Sequence, residues 1–192
     1  MTPASRPKAA SQSFEGRRIL LGVTGGIAAY KAADLCSKLV QAGAEVTVVM
    51  TESAQRFVAP LTFEALSRRP VHTDMWHGDR EFNPTHIALA DWAELVIVAP
   101  ATANIIGKLV HGIGDDLLST VLLSVEAPIL VAPAMNARMW RNRVVADNVK
   151  RLKELGHQVI EPGEGYQACG TIGIGRLAEV GDIVKAIAER LK

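Results

Sequence analysis

The sequence predicts a doubly wound α/β fold, one parallel sheet with helices on both faces. Three observations predict it. Short apolar runs without alternation, such as Arg17–Val23 and Glu94–Ala99, have the pattern of strands buried on both faces. Segments with apolar spacings of three and four separate them. At each strand-to-helix junction stand small polar residues or glycine that can cap a helix. Strands alternating with helices in this order build a parallel sheet rather than a bundle or a sandwich.

The elements follow in order. Arg17–Val23 is a central strand ended by Thr24-Gly25-Gly26. A helix then runs to about Gln41, with Ile27, Ala28, Ala32, Leu35, Cys36 and Leu39 on its apolar face and Gly43 stopping it. Glu45–Met50 is the second strand, and Thr51-Glu52-Ser53-Ala54 a second capped helix start. Leu61–Leu66 reads as a short helix, Pro70–Thr73 as a short strand and Met75–Pro84 as a loop. His86–Trp92 is a helix leading into the strand Glu94–Ala99. Pro100–Asn104 opens a helix to about His111, broken by Gly112-Ile113-Gly114. Asp115–Val125 is the next helix, and Pro128–Ala132 the fourth strand.

Pro133–Trp140 (P-A-M-N-A-R-M-W) follows that strand and enters a long helix, Arg138–Leu155, with Val145, Val149, Leu152 and Leu155 on one face. His157–Ile160 is a short strand. Glu161–Arg176 is glycine-rich without a period, and Asp182 can cap a last helix with Ile183, Val184, Ile187 and Leu191 inward. Met1–Gly16 is polar and reads as a disordered leader, leaving residues 17–192 as a single domain of Rossmann-like or flavodoxin-like type.

Composition narrows the function classes. Hydrophobic residues make up 48% of the chain and charged residues 21%, ordinary for a globular domain. A formal net charge of +1 gives no electrostatic case for nucleic acid or an acidic membrane. No apolar run approaches the roughly 18 residues that span a bilayer. The two cysteines do not make a disulfide framework, so a cytoplasmic, reduced protein is expected. No His/Cys/Asp/Glu set has the spacing of metal ligands, and no metal is expected.

In open α/β sheets ligands lie beyond the carboxyl ends of the strands. Thr24-Gly25-Gly26 sits at such an end, where backbone N–H groups and the helix dipole attract an anion. G-V-T-G-G-I matches neither the dinucleotide nor the triphosphate glycine pattern, which leaves a single phosphate or a glycine turn that only permits tight packing. Thr51 and Ser53 after the second strand, and Thr102 and Asn104 after the third, are each explained as caps. Together the three strand ends favour a phosphate-bearing ligand lying across that edge. Among five histidines a structural role is the commoner one. His86 stands out only by its place before the helix that feeds the third strand. Cys36 falls on an apolar helix face, whereas Cys169 lies in a run with glycines at 163, 165, 170, 173 and 175. A mobile loop with one thiol suits a lid that delivers a proton donor, although composition alone favours an unreactive surface thiol.

Six stretches then occur in a recognisable order: G-V-T-G-G-I-A-A-Y-K (22–31), M-T-E-S-A (50–54), T-H-I-A-L-A-D-W-A (85–93), A-P-A-T-A-N (99–104), P-A-M-N-A-R-M-W (133–140) and A-C-G-T-I-G-I-G-R (168–176). From about Arg18 to the C-terminus the chain resembles the flavin-dependent cysteine decarboxylases, and within them the enzymes that act on 4′-phosphopantothenoylcysteine in coenzyme A biosynthesis. The resemblance implies an FMN-dependent decarboxylation to 4′-phosphopantetheine. In the family's route the thiol-bearing carbon is oxidised to a thioaldehyde, which serves as the electron sink when CO₂ leaves. The resulting enethiolate is then reduced and protonated.

By motif, the resemblance makes His86 the acid–base residue, Asn136 the clamp on the substrate carboxylate and Cys169 the late proton donor. It assigns FMN to Gly25, Gly26, Thr51, Ser53, Thr102, Ala103 and Asn104, and substrate contacts to Met135, Asn136, Ala168 and Cys169. It implies a homotrimer, or a multiple of trimers, with FMN between subunits. The lid departs from the family's usual A-C-G-D-x-G-x-G-R-M followed by Glu-Pro: Thr171, Leu177 and Val180 replace the Asp, Met and Pro. Peptide-cysteine decarboxylases of the lantibiotic type stop at the enethiol, and retention of Cys169 argues against them. Flavin prenyltransferases should lack P-A-M-N and the Cys-Gly loop. Phosphatase-inhibitory relatives usually carry long acidic extensions. Bacterial relatives are often fused to a C-terminal synthetase; the 192 residues carry only the flavoprotein part.

Overall fold

The computed structural model describes residues 13–76, 85–168 and 170–192. Its main sheet has six parallel strands: β1 (Arg18–Val23), β2 (Glu45–Met50), β3 (Val71–His72), β4 (Leu95–Ala101), β5 (Ile129–Pro133) and β6 (Gln158–Val159). Their spatial order is β3-β2-β1-β4-β5-β6. The chain winds outward from β1 to one side, then returns to β4 and winds to the other. The carboxyl edge between β1 and β4 is therefore the topological switch point, where a ligand crevice opens. Without the two-residue edge strand β3, the order is that of the flavodoxin-like sheet, so both expected fold labels describe it.

The strands are buried on both faces, and their alternation sorts the core into two clusters. Ile19, Leu21, Val23, Val46, Val48, Met50, Leu95, Ile97 and Ala99 face α1 (Ala29–Gln41), α3 (Pro60–Ser67) and α9 (Val180–Arg190). Leu20, Val49, Val96, Val98, Ile129 and Val131 face α4 (Thr85–Trp92), α5 (Ala103–His111), α6 (Leu117–Ser124) and α8 (Arg143–Glu154). Of the expected caps, Thr51 and Thr102 are seen; Asp182 instead lies within the first turn of α9, whose N-cap Glu179 makes no side-chain cap bond, and Ser53 and Asn104 lie inside their helices rather than at the caps. Thr51 accepts the Ala54 amide at the head of α2 (Glu52–Gln55), and Asp116 forms a reciprocal capping box with Ser119 on α6.

Four further expectations are corrected. The first helix begins at Ala29 rather than at the glycines, and Ile27 is 61% exposed instead of inward. The single helix over Arg138–Leu155 is two: a one-turn α7 (Ala137–Trp140) and α8, restarted by Asn142, whose side chain accepts the Val144 amide at 2.9 Å. A second N-cap inside the run ends one helix and begins another; Leu155 is left 46% exposed. Glu161–Arg176 contains an antiparallel hairpin, β7 (Gly163–Tyr166) with β8 (Ile172–Arg176). The leader does not reach Gly16: Phe14 is 2% exposed in the first cluster, and its amide donates to the Ala42 carbonyl at 2.8 Å. Residues 1–12 of the leader, and residues 77–84 of the expected loop, lie outside the described residues. Among the described residues no helix is long and apolar enough to cross a membrane.

Candidate active site at the carboxyl edge of the sheet

Three strand ends build the site. At the first, Thr24 is buried, and its hydroxyl donates to the Pro100 carbonyl at 2.6 Å and accepts the Thr102 amide at 3.1 Å. One side chain thus joins the ends of β1 and β4 across the switch point. Gly25 follows, lying so close to Ser53 that a Cβ here would collide with that residue's Cβ and backbone. Gly26 faces open space, with Thr102 Cγ2 the nearest atom to a built Cβ at 3.9 Å. At the second end Thr102 caps α5, accepting the Ile105 amide at 3.4 Å, so the first turn of α5 points its dipole toward the same space.

At the third end the chain leaves β5 through Ala134-Met135-Asn136. Asn136 caps α7, its Oδ1 accepting the Arg138 amide at 2.7 Å. The hairpin docks on this segment. The Met135 amide donates to the Gly175 carbonyl at 2.9 Å. Gly175 has φ +140°, and a Cβ on it would strike the Met135 carbonyl, so no other residue fits this crossing.

Between these parts lies a cleft of about 490 Å³ lined by Gly25, Gly26, Ile27, Tyr30, Lys31, Thr102, Ala103, Met135, Asn136, Met139, Tyr166, Ala168, Arg176 and Leu177, among others. Of the expected site residues, Gly25, Gly26, Thr102, Ala103, Met135, Asn136 and Ala168 come together here. Thr51 and Ser53 sit behind Gly25 rather than in the cleft: Thr51 caps α2 and Ser53 packs on the glycine. Asn104, exposed on α5, does not line it. His86 does not either. It is half-buried in the first turn of α4, on the sheet face opposite α1. Cys169 lies outside the described residues.

Four residues singled out by no expected role complete the site. Thr24 had the signal of a hydroxyl directly after a strand. Lys31 and Arg176 bring positive charge to the cleft, and both pair with Glu179, at 3.5 and 3.6 Å. Gln167, buried beneath the hairpin, carried no sequence signal. The perturbed histidines lie elsewhere: burial lowers the pKa of His72 on β3 and of His157 before β6. Burial likewise pushes the Cys36 thiol up to about 11. Among the described residues no group of three or more His, Cys, Asp or Glu could hold a metal ion.

The cleft fits a flavin mononucleotide. Gly26 leaves a cradle that a side chain would fill, the α5 terminus suits an anion, and Ile27, Met135 and Leu177 provide apolar wall. The family profile described as Flavoprotein matches residues 7–192. The coenzyme A biosynthesis bifunctional protein CoaBC of Bacillus subtilis (strain 168) is 58% identical over 180 residues, covering 92% of this chain and 43% of that protein. The chain thus spans less than half the length of such relatives. A probable phosphopantothenoylcysteine decarboxylase of Streptococcus mutans serotype c is 42% identical, covering 91% of this chain and 99% of that one. Among solved structures, a cysteine-to-serine mutant of PPC decarboxylase complexed with pantothenoylaminoethenethiol superposes with a TM-score of 0.80 at 31% identity, covering 90% of this chain and 97% of that one. The FMN-dependent cysteine decarboxylase SpaF does so with a TM-score of 0.80 at 32% identity, covering 94% and 100%. With the motifs in order, the sheet in this topology and relatives matched over nearly all of it, the chain belongs to the flavoprotein family, among its flavin-dependent cysteine decarboxylases.

Proposed function

We propose that the chain catalyses the FMN-dependent decarboxylation of 4′-phosphopantothenoylcysteine to 4′-phosphopantetheine, a step of coenzyme A biosynthesis. The observation that carries it is the placement of Asn136 and Met135, under a hairpin, across one cleft from Gly26 and Thr102. Similarity over 99% of a probable phosphopantothenoylcysteine decarboxylase supports the same substrate. Bound in the cleft, FMN supplies the two-electron oxidation of the substrate's thiol-bearing carbon and the later return of hydride.

The protein's part is binding, orientation and proton transfer. Gly25, Gly26, Thr102 and Ala103 hold the cofactor, with Thr51 and Ser53 shaping the turn behind Gly25. Asn136 orients the substrate carboxylate. A neutral amide suits this task, because the negative charge leaves the carboxylate as CO₂ departs and a cation fixed there would hold it back. Lys31 and Arg176 give an anionic substrate a favourable approach. Ala168 lines the cleft, and Cys169, next to it in sequence, is assigned the proton delivered to the enethiolate.

His86 is the acid–base residue of the oxidation and decarboxylation steps. Because it does not line the cleft of its own chain, we assign it to the site of a neighbouring subunit, in a homotrimer or a multiple of trimers. We place the protein in the cytoplasm, where Cys36 and Cys169 stay reduced. The test is incubation of the FMN-loaded protein with 4′-phosphopantothenoylcysteine while CO₂ and 4′-phosphopantetheine are followed. Both products are expected in equal amounts; a flavin-loaded protein that forms neither, or that turns over only a peptide ending in cysteine, overturns the assignment.

A further inference from the structure

Both peptide groups that flank Asn136 are gripped by one side chain. Gln167 Oε1 accepts the Ala137 amide at 3.0 Å, and Gln167 Nε2 donates to the Met135 carbonyl at 3.3 Å. The Met135 carbonyl belongs to the peptide before Asn136, and the Ala137 N–H to the peptide after it. These two bonds therefore hold both backbone dihedrals of Asn136, φ −59° and ψ 145°. Gln167 is 7% exposed, and the groups it binds have different polarity, one donor and one acceptor. A carboxamide in this orientation satisfies both, where an ionised carboxylate could serve only the amide.

The main chain of the same residue closes the hairpin connection. Its N–H donates to the Thr171 carbonyl at 2.8 Å, and its carbonyl accepts the Gly170 amide at 2.9 Å. In sequence, Cys169 is enclosed by this pair. From this geometry we infer that Gln167 is a positioning residue, which makes docking of the hairpin and orientation of Asn136 a single event. The inference rests on the role proposed above for Asn136 and goes beyond it: Gln167 reaches the cleft wall, but that scheme gives it no contact with substrate or cofactor.

The test uses the FMN-loaded protein and three measurements. In Gln167→Met both bonds are lost at nearly constant volume. Hydrogen exchange at the Ala137 amide should then rise at least about tenfold, with β1 and β4 unchanged. The kcat for 4′-phosphopantothenoylcysteine should fall about 10- to 100-fold, with flavin content at the wild-type level. The third measurement uses Gln167→Glu. As a carboxylate, Glu keeps the acceptor for Ala137 but sets oxygen against the Met135 carbonyl; once protonated it regains a donor. Burial and that carbonyl raise its pKa, so its activity relative to wild type should climb several-fold between about pH 8 and about pH 6, while the Gln167→Met ratio stays flat.

Lys31, Tyr166 and Arg176, the described titratable groups of the cleft, and Cys169 are common to all three proteins, so the ratio to wild type isolates the group at position 167. Wild-type exchange at Ala137 in Gln167→Met, wild-type kcat in that variant, or a flat ratio for Gln167→Glu overturns the inference. If Gln167→Met does not fold, the Gln167→Glu ratio decides. If the wild-type protein itself does not turn over, the proposed function fails, and the exchange measurement still decides the grip of Gln167 on Ala137.

Discussion

The Thr24 hydroxyl spans the switch point of the sheet, donating to the Pro100 carbonyl at 2.6 Å and accepting the Thr102 amide at 3.1 Å. Valine has the same shape and neither bond. Thr24→Val leaves a buried carbonyl and a buried amide without this partner, so the protein should lose about 1–3 kcal/mol, a fall in Tm of roughly 2–12 °C by calorimetry. Flavin affinity should fall as well, because Thr102 loses its tie to β1. Unchanged Tm and flavin affinity would show that the bridge contributes nothing.

Gly25 and Gly26 should respond differently to alanine. In Gly25→Ala the new methyl meets Ser53, including its backbone carbonyl carbon at 2.8 Å, so the turn must move and both stability and flavin binding should fall. In Gly26→Ala the nearest atom is 3.9 Å away, so Tm should hold while flavin binds about tenfold more weakly, the methyl occupying the cradle. Thermal melts and flavin fluorescence titrations separate the two.

If His86 serves a neighbouring subunit's cleft, two dead enzymes should rescue one another. His86→Asn and Asn136→Asp are each expected to retain flavin and lose decarboxylation. Subunits of the two, dissociated, mixed equally and reassembled, should recover about a quarter of wild-type turnover, since each site draws its His and its Asn independently. No recovery in reassembled hybrids places both residues in one subunit's site.

The two cysteines should behave as opposites. Burial raises the Cys36 thiol to about 11, so at pH 8 only about a thousandth of it is thiolate, and alkylation of the folded protein should spare it. Cys169→Ser should still release CO₂ but accumulate the oxidised enethiol, detected by mass spectrometry. Normal 4′-phosphopantetheine yield from that variant removes Cys169 from the mechanism.

The strands were legible because a strand buried on both faces leaves an uninterrupted apolar run, and the strand-end caps at Thr51 and Thr102 because capping is a local act. What is not local was hidden. The hairpin β7–β8 has a burial alternation carried partly by glycines, and its docking depends on Gly175 crossing the Met135 carbonyl. The break between α7 and α8 turns on whether Asn142 caps, a choice the surrounding helical pattern masks. Gln167 was invisible because its task is set by groups 30 and 32 residues away. Six stretches matched in order brought Asn136 to notice as a clamp; composition alone would have made it only a cap, which it also is.

The hairpin forms a sheet of its own: β7 and β8 pair with each other and, among the described residues, with no third strand. A ribbon of four and five residues is marginal in water, so its order comes from Met135, Ala137 and the buried amide beneath it. Releasing those clasps is a local unfolding, and forming them a local folding. If substrate gathers beneath the hairpin, as proposed, docking of the ribbon and binding share one equilibrium, and the measured affinity includes the entropy lost in holding the ribbon down.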